Sequence, residues 1–413
     1  MNMGIKLGVA GAGQFSRCFI PLFQAHPYVD EVVLADVHAD RRQSFQQAFG
    51  IKTTYPSLDD MLKSDVDAVA IFTQRHLHGE HTIQALQAGK HVYCAVPMAQ
   101  TPEEVAAILE EVRKSRLIYM TGETSYYYPS TVLCRDRFLA GWFGQFVYGE
   151  AQYLHDMLHG FYDAYKYSGG ADWKRVAGIP PMLYPTHSVS MILSVTGAKA
   201  TSVSCLGYRD SHEDGIFREG ANLWDNPFSN QSALVRTSDG GMMRINEFRR
   251  IGWGGHNSVY MSMFGTSGSF EEHAGGSAWS SLKWGEVEDL TARLACRDAY
   301  VRLDGEGINQ VLQHDFNASL AEVHHRYRLP VTFEKLPNGH LGSHQFLVDD
   351  FLKAVRTNTL PPNHAWRAAD YVLPGLIAHE SSKRDGELLP IPDMGEPPAD
   401  WAQLDPDAFA AYS

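Results

Sequence analysis

The feature that most constrains the fold is a regular alternation, over residues 5–125, of short apolar runs with helical patterns. Ile5–Ala10, Val32–Asp36, Val66–Phe72, His91–Cys94 and Leu117–Thr121 are strand-length and rich in β-branched residues. Continuous apolar runs of that length read as strands buried on both faces. Between them lie helices. Thr101–Lys114 has Thr101 to cap it, Pro102 at its first position, and Glu103 and Glu104 at the positive end, while Gly89 closes His78–Ala88. Strand–helix alternation of this kind predicts a doubly wound parallel sheet.

From about Tyr127 the runs lengthen and alternate: Gln145–His155, Ala200–Tyr208, Gln231–Thr237, Gly241–Phe248 and Asn257–Gly265. The turn Ser238-Asp239-Gly240-Gly241 predicts a hairpin between two of them. Helical patterns over Ser343–Arg356 and Trp366–Arg384 follow, whereas residues 272–330 carry no clear period. The expected architecture is therefore α/β followed by α+β. A Rossmann-type domain spans 1–126, and a domain with an open, mostly antiparallel sheet spans 127–413. The length of 413 residues fits two domains, and a cleft between them is the expected ligand site.

The first strand runs into Gly11-Ala12-Gly13-Gln14-Phe15-Ser16 and then a helix. The first glycine permits a tight turn and the second lets backbone approach a pyrophosphate. The third position needs only a small residue, which Ser16 supplies. Asp36 ends the next strand, where a carboxylate accepts from ribose hydroxyls and repels a 2′-phosphate, so NAD is expected over NADP.

Charge excludes other partners. Lys+Arg 35 against Asp+Glu 48 leaves a net charge of −13, and no basic patch stands out, so no nucleic-acid partner is expected. The N-terminus MNMGIKLGVAG has no basic leader or long apolar core, and no later segment is apolar enough to span a membrane. Five dispersed cysteines without a CxxC pair (Cys18, Cys94, Cys134, Cys205, Cys296) argue against a disulfide framework and fit a reducing, cytoplasmic location.

Further along stand Thr73-Gln74-Arg75-His76-Leu77-His78 and Ala88-Gly89-Lys90-His91-Val92-Tyr93-Cys94-Ala95-Val96-Pro97-Met98-Ala99. With the glycine loop, this spacing resembles the Gfo/Idh/MocA family of NAD(P)-dependent sugar oxidoreductases over the first 125 residues. The resemblance implies a cofactor site of Gly11, Gly13, Gln14, Phe15, Asp36, Thr73, His76, His78, Ala95 and Pro97. It also breaks at informative places. Family dehydrogenases read Glu-Lys-Pro at the strand end, the Lys moving a proton beside the nicotinamide; here Ala95 and Val96 precede Pro97. Their Asp four residues before a helical His is Leu183 here, with His187 retained and Tyr184 the nearest ionisable group.

Tyr184-Pro185-Thr186-His187, Val96 before Pro97, the Glu123…Tyr126 pair, Asn226-Pro227-Phe228 and Gly339-His340-Leu341-Gly342 look like the family's NAD-dependent glycosidase branch. That branch keeps a Glu where Ala95 stands. Its chemistry oxidises a sugar hydroxyl transiently, eliminates the aglycone, adds water and reduces the ketone again. By resemblance the catalytic candidates are His187, Tyr184, Tyr126 and Glu123, and the partners are a sugar or glycoside and a second copy of the chain in a dimer or tetramer. A plain sugar or polyol dehydrogenase and a non-catalytic NAD- or sugar-binding regulator are the alternatives.

Further candidates follow from residue type. Trp173 offers a stacking face, and Lys174 with Arg175, or Arg249 with Arg250 and Trp253, offers cations for an anionic substituent. His340 is a candidate substrate ligand beside His344. His76, His78 and His81 lie at a loop–helix junction with Glu80 as the one nearby carboxylate, a poor metal set, so no metal is expected. Cys94 is expected to act as a small hydrophobe.

Overall fold

A computed structural model describes residues 4–254, 257–296, 320–336 and 338–406. The reading of residues 1–3 as part of a leaderless start falls outside these residues, as do residues 297–319 of the stretch without a clear period.

Six parallel strands form the first sheet: β1 (Ile5–Ala10), β2 (Val29–Ala35), β3 (Thr54–Tyr55), β4 (Ala68–Ile71), β5 (His91–Cys94) and β6 (Tyr119–Thr121), in the order β3-β2-β1-β4-β5-β6. The expected doubly wound sheet is present, with one strand more than the sequence indicated. That extra strand, β3, has two half-buried residues at the sheet edge, too short to show a period. Strand order reverses between β1 and β4, and Ala10 of β1 lies opposite Ala35 of β2 on one side and Ile71 of β4 on the other. Gly11, Asp36 and Phe72 therefore leave the sheet side by side at its carboxyl edge, where such sheets bind ligands. Thr101 caps the helix Pro102–Ser115 as expected, accepting from the Glu104 amide at 3.1 Å.

The second sheet has nine strands: β7 (Phe146–Leu154), β8 (Ala200–Arg209), β9 (Phe228–Thr237), β10 (Met242–Phe248), β11 (Val259–Gly265), β12 (Gly268–His273), β13 (Gly276–Ser281), β14 (Val287–Asp289) and β15 (Leu389–Pro390), in the order β14-β13-β12-β11-β7-β10-β9-β8-β15. The hairpin β9–β10 forms at the predicted turn, with Gly240 at φ 89°. All pairs are antiparallel except β7 with β10. Strands β12 to β14 escaped the sequence reading because Gly, Ser and Glu dilute their β-branched content.

Helices Thr186–Thr196 and Ala365–Ser382 cover one face of this sheet. The other face carries Leu206, Leu234 and Met242, which are 64%, 58% and 51% exposed, around an Arg244–Glu150 ion pair. Helix His344–Thr357 packs on the first domain's Ser16–Ala25. Among the described residues no helix is long and apolar enough to cross a membrane.

Candidate active site

A cavity of about 580 Å³ runs from Asp36, past Gly11–Phe15 and the strand-end Ala95, to His187 on the second domain. Its first end is built by local sequence. Gly11 adopts φ 105°, and a Cβ there would lie 2.7 Å from the Phe72 carbonyl oxygen, so the turn requires glycine. Around Gly13 the space a Cβ would take is open to the cavity, as a closely approaching pyrophosphate needs. The Asp36 carboxylate accepts from the Ala12 and His38 amides at 2.7 and 2.8 Å, which fixes it at the cavity rim with lone pairs left for ribose hydroxyls.

The turn after β4 forms the floor. His78 is buried between the Pro97 carbonyl oxygen at 2.8 Å and that of Thr73 at 3.1 Å, and burial pulls its imidazole down to about 4. It ties two turns together. His81 meets the Thr73 hydroxyl at 2.9 Å, while His76 lies edge-on to Trp224 across the cavity. Thr73, His76, Ala95, Gln14 and Phe15 all line the cavity; Pro97 lies behind it, contributing its carbonyl to His78.

At the far end, four groups from three segments meet. His187 is 3% exposed on the first turn of Thr186–Thr196, and its Nδ1 lies 2.8 Å from Oε1 of Glu123, just past β6. Burial works against the Glu123 charge, but His187 and the Ser125 amide hold the carboxyl below its usual range. An ionised Glu123 accepts the Nδ1 proton and leaves Nε2 as an acceptor, the orienting logic of a carboxylate behind a catalytic imidazole. Nε2 lies 3.4 Å from the Tyr184 hydroxyl. Tyr184 sits at φ −133° in the turn before the helix, because Pro185 disfavours helical backbone in the residue preceding it. The two side chains converge nonetheless. Burial raises the Tyr184 phenol despite the opposing effect of Arg75, so it is a neutral donor near pH 7.

His340 also reaches this end. It and Leu341 are left-handed, at φ 47° and 52°, a conformation costing about 1–2 kcal/mol per residue, and the bend lays the His340 ring parallel to His187 with centroids 6.4 Å apart. His344 lies 2.9 Å from His340 Nδ1. Burial drives His340 down to about 3, so it faces the cavity as a neutral imidazole.

Other expected residues are not brought to the cavity. Tyr126 turns away under the Arg135 guanidinium, 4.0 Å from its ring centroid. Trp173 packs on Tyr162, Lys174 bonds the Asp214 carbonyl, and Arg175 lies in the same outer helix Trp173–Ala177, so none of the three lines it. Arg249 is buried behind the wall, paired with Glu247 at 3.0 Å and stacked over Tyr153; Arg250 is held by Asp214 at 2.6 Å. Trp253 bonds the Asn257 carbonyl.

Several lining residues went unread. Tyr153 lies near the end of β7 and His155 just past it, Phe161 and Tyr165 come from the helical segment 157–169, and Trp224 from the β8–β9 connection. Arg75 lies inside the quoted Thr73–His78 turn, and was passed over for its histidine neighbours. Its guanidinium is 4.6 Å from the Tyr184 ring centroid and donates to the Tyr165 hydroxyl at 3.0 Å.

Residues 5–123 match the model of the oxidoreductase family with an NAD-binding Rossmann fold, Gfo/Idh/MocA. The nucleotide-binding domain belongs to that family. Its cofactor is NAD, and the glycine turn, the open space at Gly13 and the placed Asp36 fit it. Over 94% of this chain and 77% of its own length, a glycosyl hydrolase family 109 protein of Streptomyces filamentosus is 24% identical. A mouse trans-1,2-dihydrobenzene-1,2-diol dehydrogenase is 25% identical over 52% of this chain and 62% of its own. Levoglucosan dehydrogenase in complex with NADH and levoglucosan shares the fold, with a TM-score of 0.70 at 17% identity over 94% of this chain and 100% of that one.

Proposed function

We propose that the protein is an NAD-dependent, sugar-active enzyme that cleaves a glycosidic bond by transient oxidation. The observation carrying this reading is the Glu123–His187–Tyr184 chain at the end of a cavity that begins at the dinucleotide turn. NAD held by Gly11, Gly13 and Asp36 would supply a hydride acceptor for a sugar hydroxyl carbon and the hydride for its later reduction. The chain's own residues handle protons. His187 Nε2 takes the hydroxyl proton as the carbon is oxidised, with Glu123 stabilising the imidazolium. The resulting ketone acidifies the neighbouring C–H; once His187 has passed the first proton to solvent, its freed Nε2 takes this second one as the aglycone leaves. Tyr184, a neutral phenol, donates to the departing oxygen, and the same two residues serve in reverse when water adds.

Net oxidation needs one proton acceptor. A donor and an acceptor within hydrogen-bond reach of each other favour cleavage, as does the likeness of most of the chain to proteins named for glycoside hydrolysis. The mildly apolar open sheet face fits a second copy of the chain, and Leu234→Glu is expected to shift sedimentation toward the monomer. The deciding test incubates the protein with aryl glycosides and catalytic NAD⁺, following aglycone release and absorbance at 340 nm together. Release without net NADH, lost in Tyr184→Phe, is expected; NADH accumulating without release would establish a dehydrogenase instead.

A further inference from the structure

Among the described residues, the reacting end of the cavity holds one guanidinium and no carboxylate paired with it. Arg75 lies beside the second domain's aromatic rings, its Cζ 4.6 Å from the Tyr184 centroid, 5.4 Å from Tyr165 and 5.9 Å from Phe161. Its side-chain partners are the phenols of Tyr165 and Tyr184, and among the described residues no Asp or Glu pairs with it. The carboxylates that line the cavity, Asp36, Asp59 and Glu80, belong to the first domain, and Glu123 is turned toward His187. Burial opposes the Arg75 charge, yet the tyrosines hold the group above its ordinary value, so it stays cationic at every working pH. Aromatic faces position a cation without neutralising it. A second arginine, Arg41, lines the cavity beside Asp36 and is engaged by the Tyr167 carbonyl, which leaves Arg75 as the cation at the reacting end.

We infer that Arg75 is the seat of a substrate carboxylate: the sugar carries a ring or chain carboxylate placed one side chain from Tyr184 and His187. Guanidinium geometry suits bidentate carboxylate binding. The inference deepens the proposed function and rests on it for the reaction, though not for the binding. It replaces the anion sites expected at Lys174–Arg175 and Arg249–Arg250: Lys174, Arg249 and Arg250 are engaged outside the cavity, and Arg175 does not line it.

The carboxylate can belong to a glycoside or to a free sugar acid. The test therefore uses the NAD-loaded full chain with paired 4-nitrophenyl glucuronides and glucosides, α and β, and with free glucuronate. Aglycone release, absorbance at 340 nm and melting temperature are recorded for the wild type, Arg75→Met and Arg75→Lys. The expected result is a preference for the carboxylated member of a pair that falls about 100-fold in Arg75→Met. Arg75→Lys, which keeps charge and loses the planar fork, is expected between the two. Release from the glucuronide assigns the glycosidic source, and NADH from glucuronate the free acid. Equal slowing of neutral and carboxylated substrates in Arg75→Met overturns the inference and leaves the glycosidase reading standing. Loss of NAD affinity in that variant also overturns it, since Arg75 would then serve the cofactor. Arg75-dependent stabilisation by glucuronate without turnover of any probe upholds the anion seat while the proposed reaction falls.

Discussion

The two ends of the cavity are built in opposite ways. Gly11, Gly13 and Asp36 lie within 26 residues of one another, just past the ends of two adjacent strands whose register brings them together. Glu123, Tyr184, His187 and His340 come from three segments spanning more than 200 residues, and each is placed by packing between elements. The local end depends on backbone geometry at Gly11 and on the one carboxylate of Asp36. The assembled end depends on which side chains meet. Binding and proton transfer should therefore be separable by mutation.

The largest break is expected at His187. His187→Gln should lower turnover by about 10³-fold, within the range for loss of a general base, with NAD affinity from fluorescence titration unchanged. Tyr184→Phe should cost about 100-fold and abolish aglycone release more completely than any partial hydride transfer, because the phenol is placed as the donor to the leaving group. Gly11→Ala strikes the other end. A positive φ costs a non-glycine residue about 1–2 kcal/mol, and the added methyl meets the Phe72 carbonyl, so NAD affinity should weaken by roughly tenfold or more. The relay would stay assembled. If Gly11→Ala binds NAD normally while losing turnover, the two ends are not independent.

A smaller effect separates two buried carboxylates near the His187 helix. Glu123 is held below its ordinary value, so its contribution to stability is present above the usual carboxylate range and fades as pH falls through its folded value. Glu247, bonded to Ser188, is pushed by burial up to about 7 despite Arg249. The native state then binds more protons than the unfolded chain between its ordinary 4.5 and about 7, so stability falls as pH rises through that window. Melting curves across pH should show Glu247→Gln flattening the decline toward neutrality and Glu123→Gln flattening the acid side. Identical profiles for the two variants would mean that the helix does not divide their environments.

The same division governs what could be read in advance. Strand β1, the glycine turn, the carboxylate after β2 and the capped helix Pro102–Ser115 are set by short-range backbone sterics and period, which a linear string records. His187 was found through its Tyr-Pro-Thr-His setting, and Glu123 through its place after β6. Arg75 stood in a quoted motif without its role being visible, since its meaning depends on Tyr165 and Tyr184, 90 and 109 residues away. Tyr126, a candidate by resemblance, and Trp173 and Lys174, candidates by type, pack away from the cavity against Arg135, Tyr162 and Asp214.

By itself the sequence determined a dinucleotide-binding parallel sheet joined to a second, mostly antiparallel one, because periodicity, glycine turns and caps act over a few residues. Only the tertiary structure decided which charges face the reacting end, because that depends on which distant side chains neutralise one another. Arg249 and Arg250 found carboxylates in the fold, and Arg75 met aromatic rings.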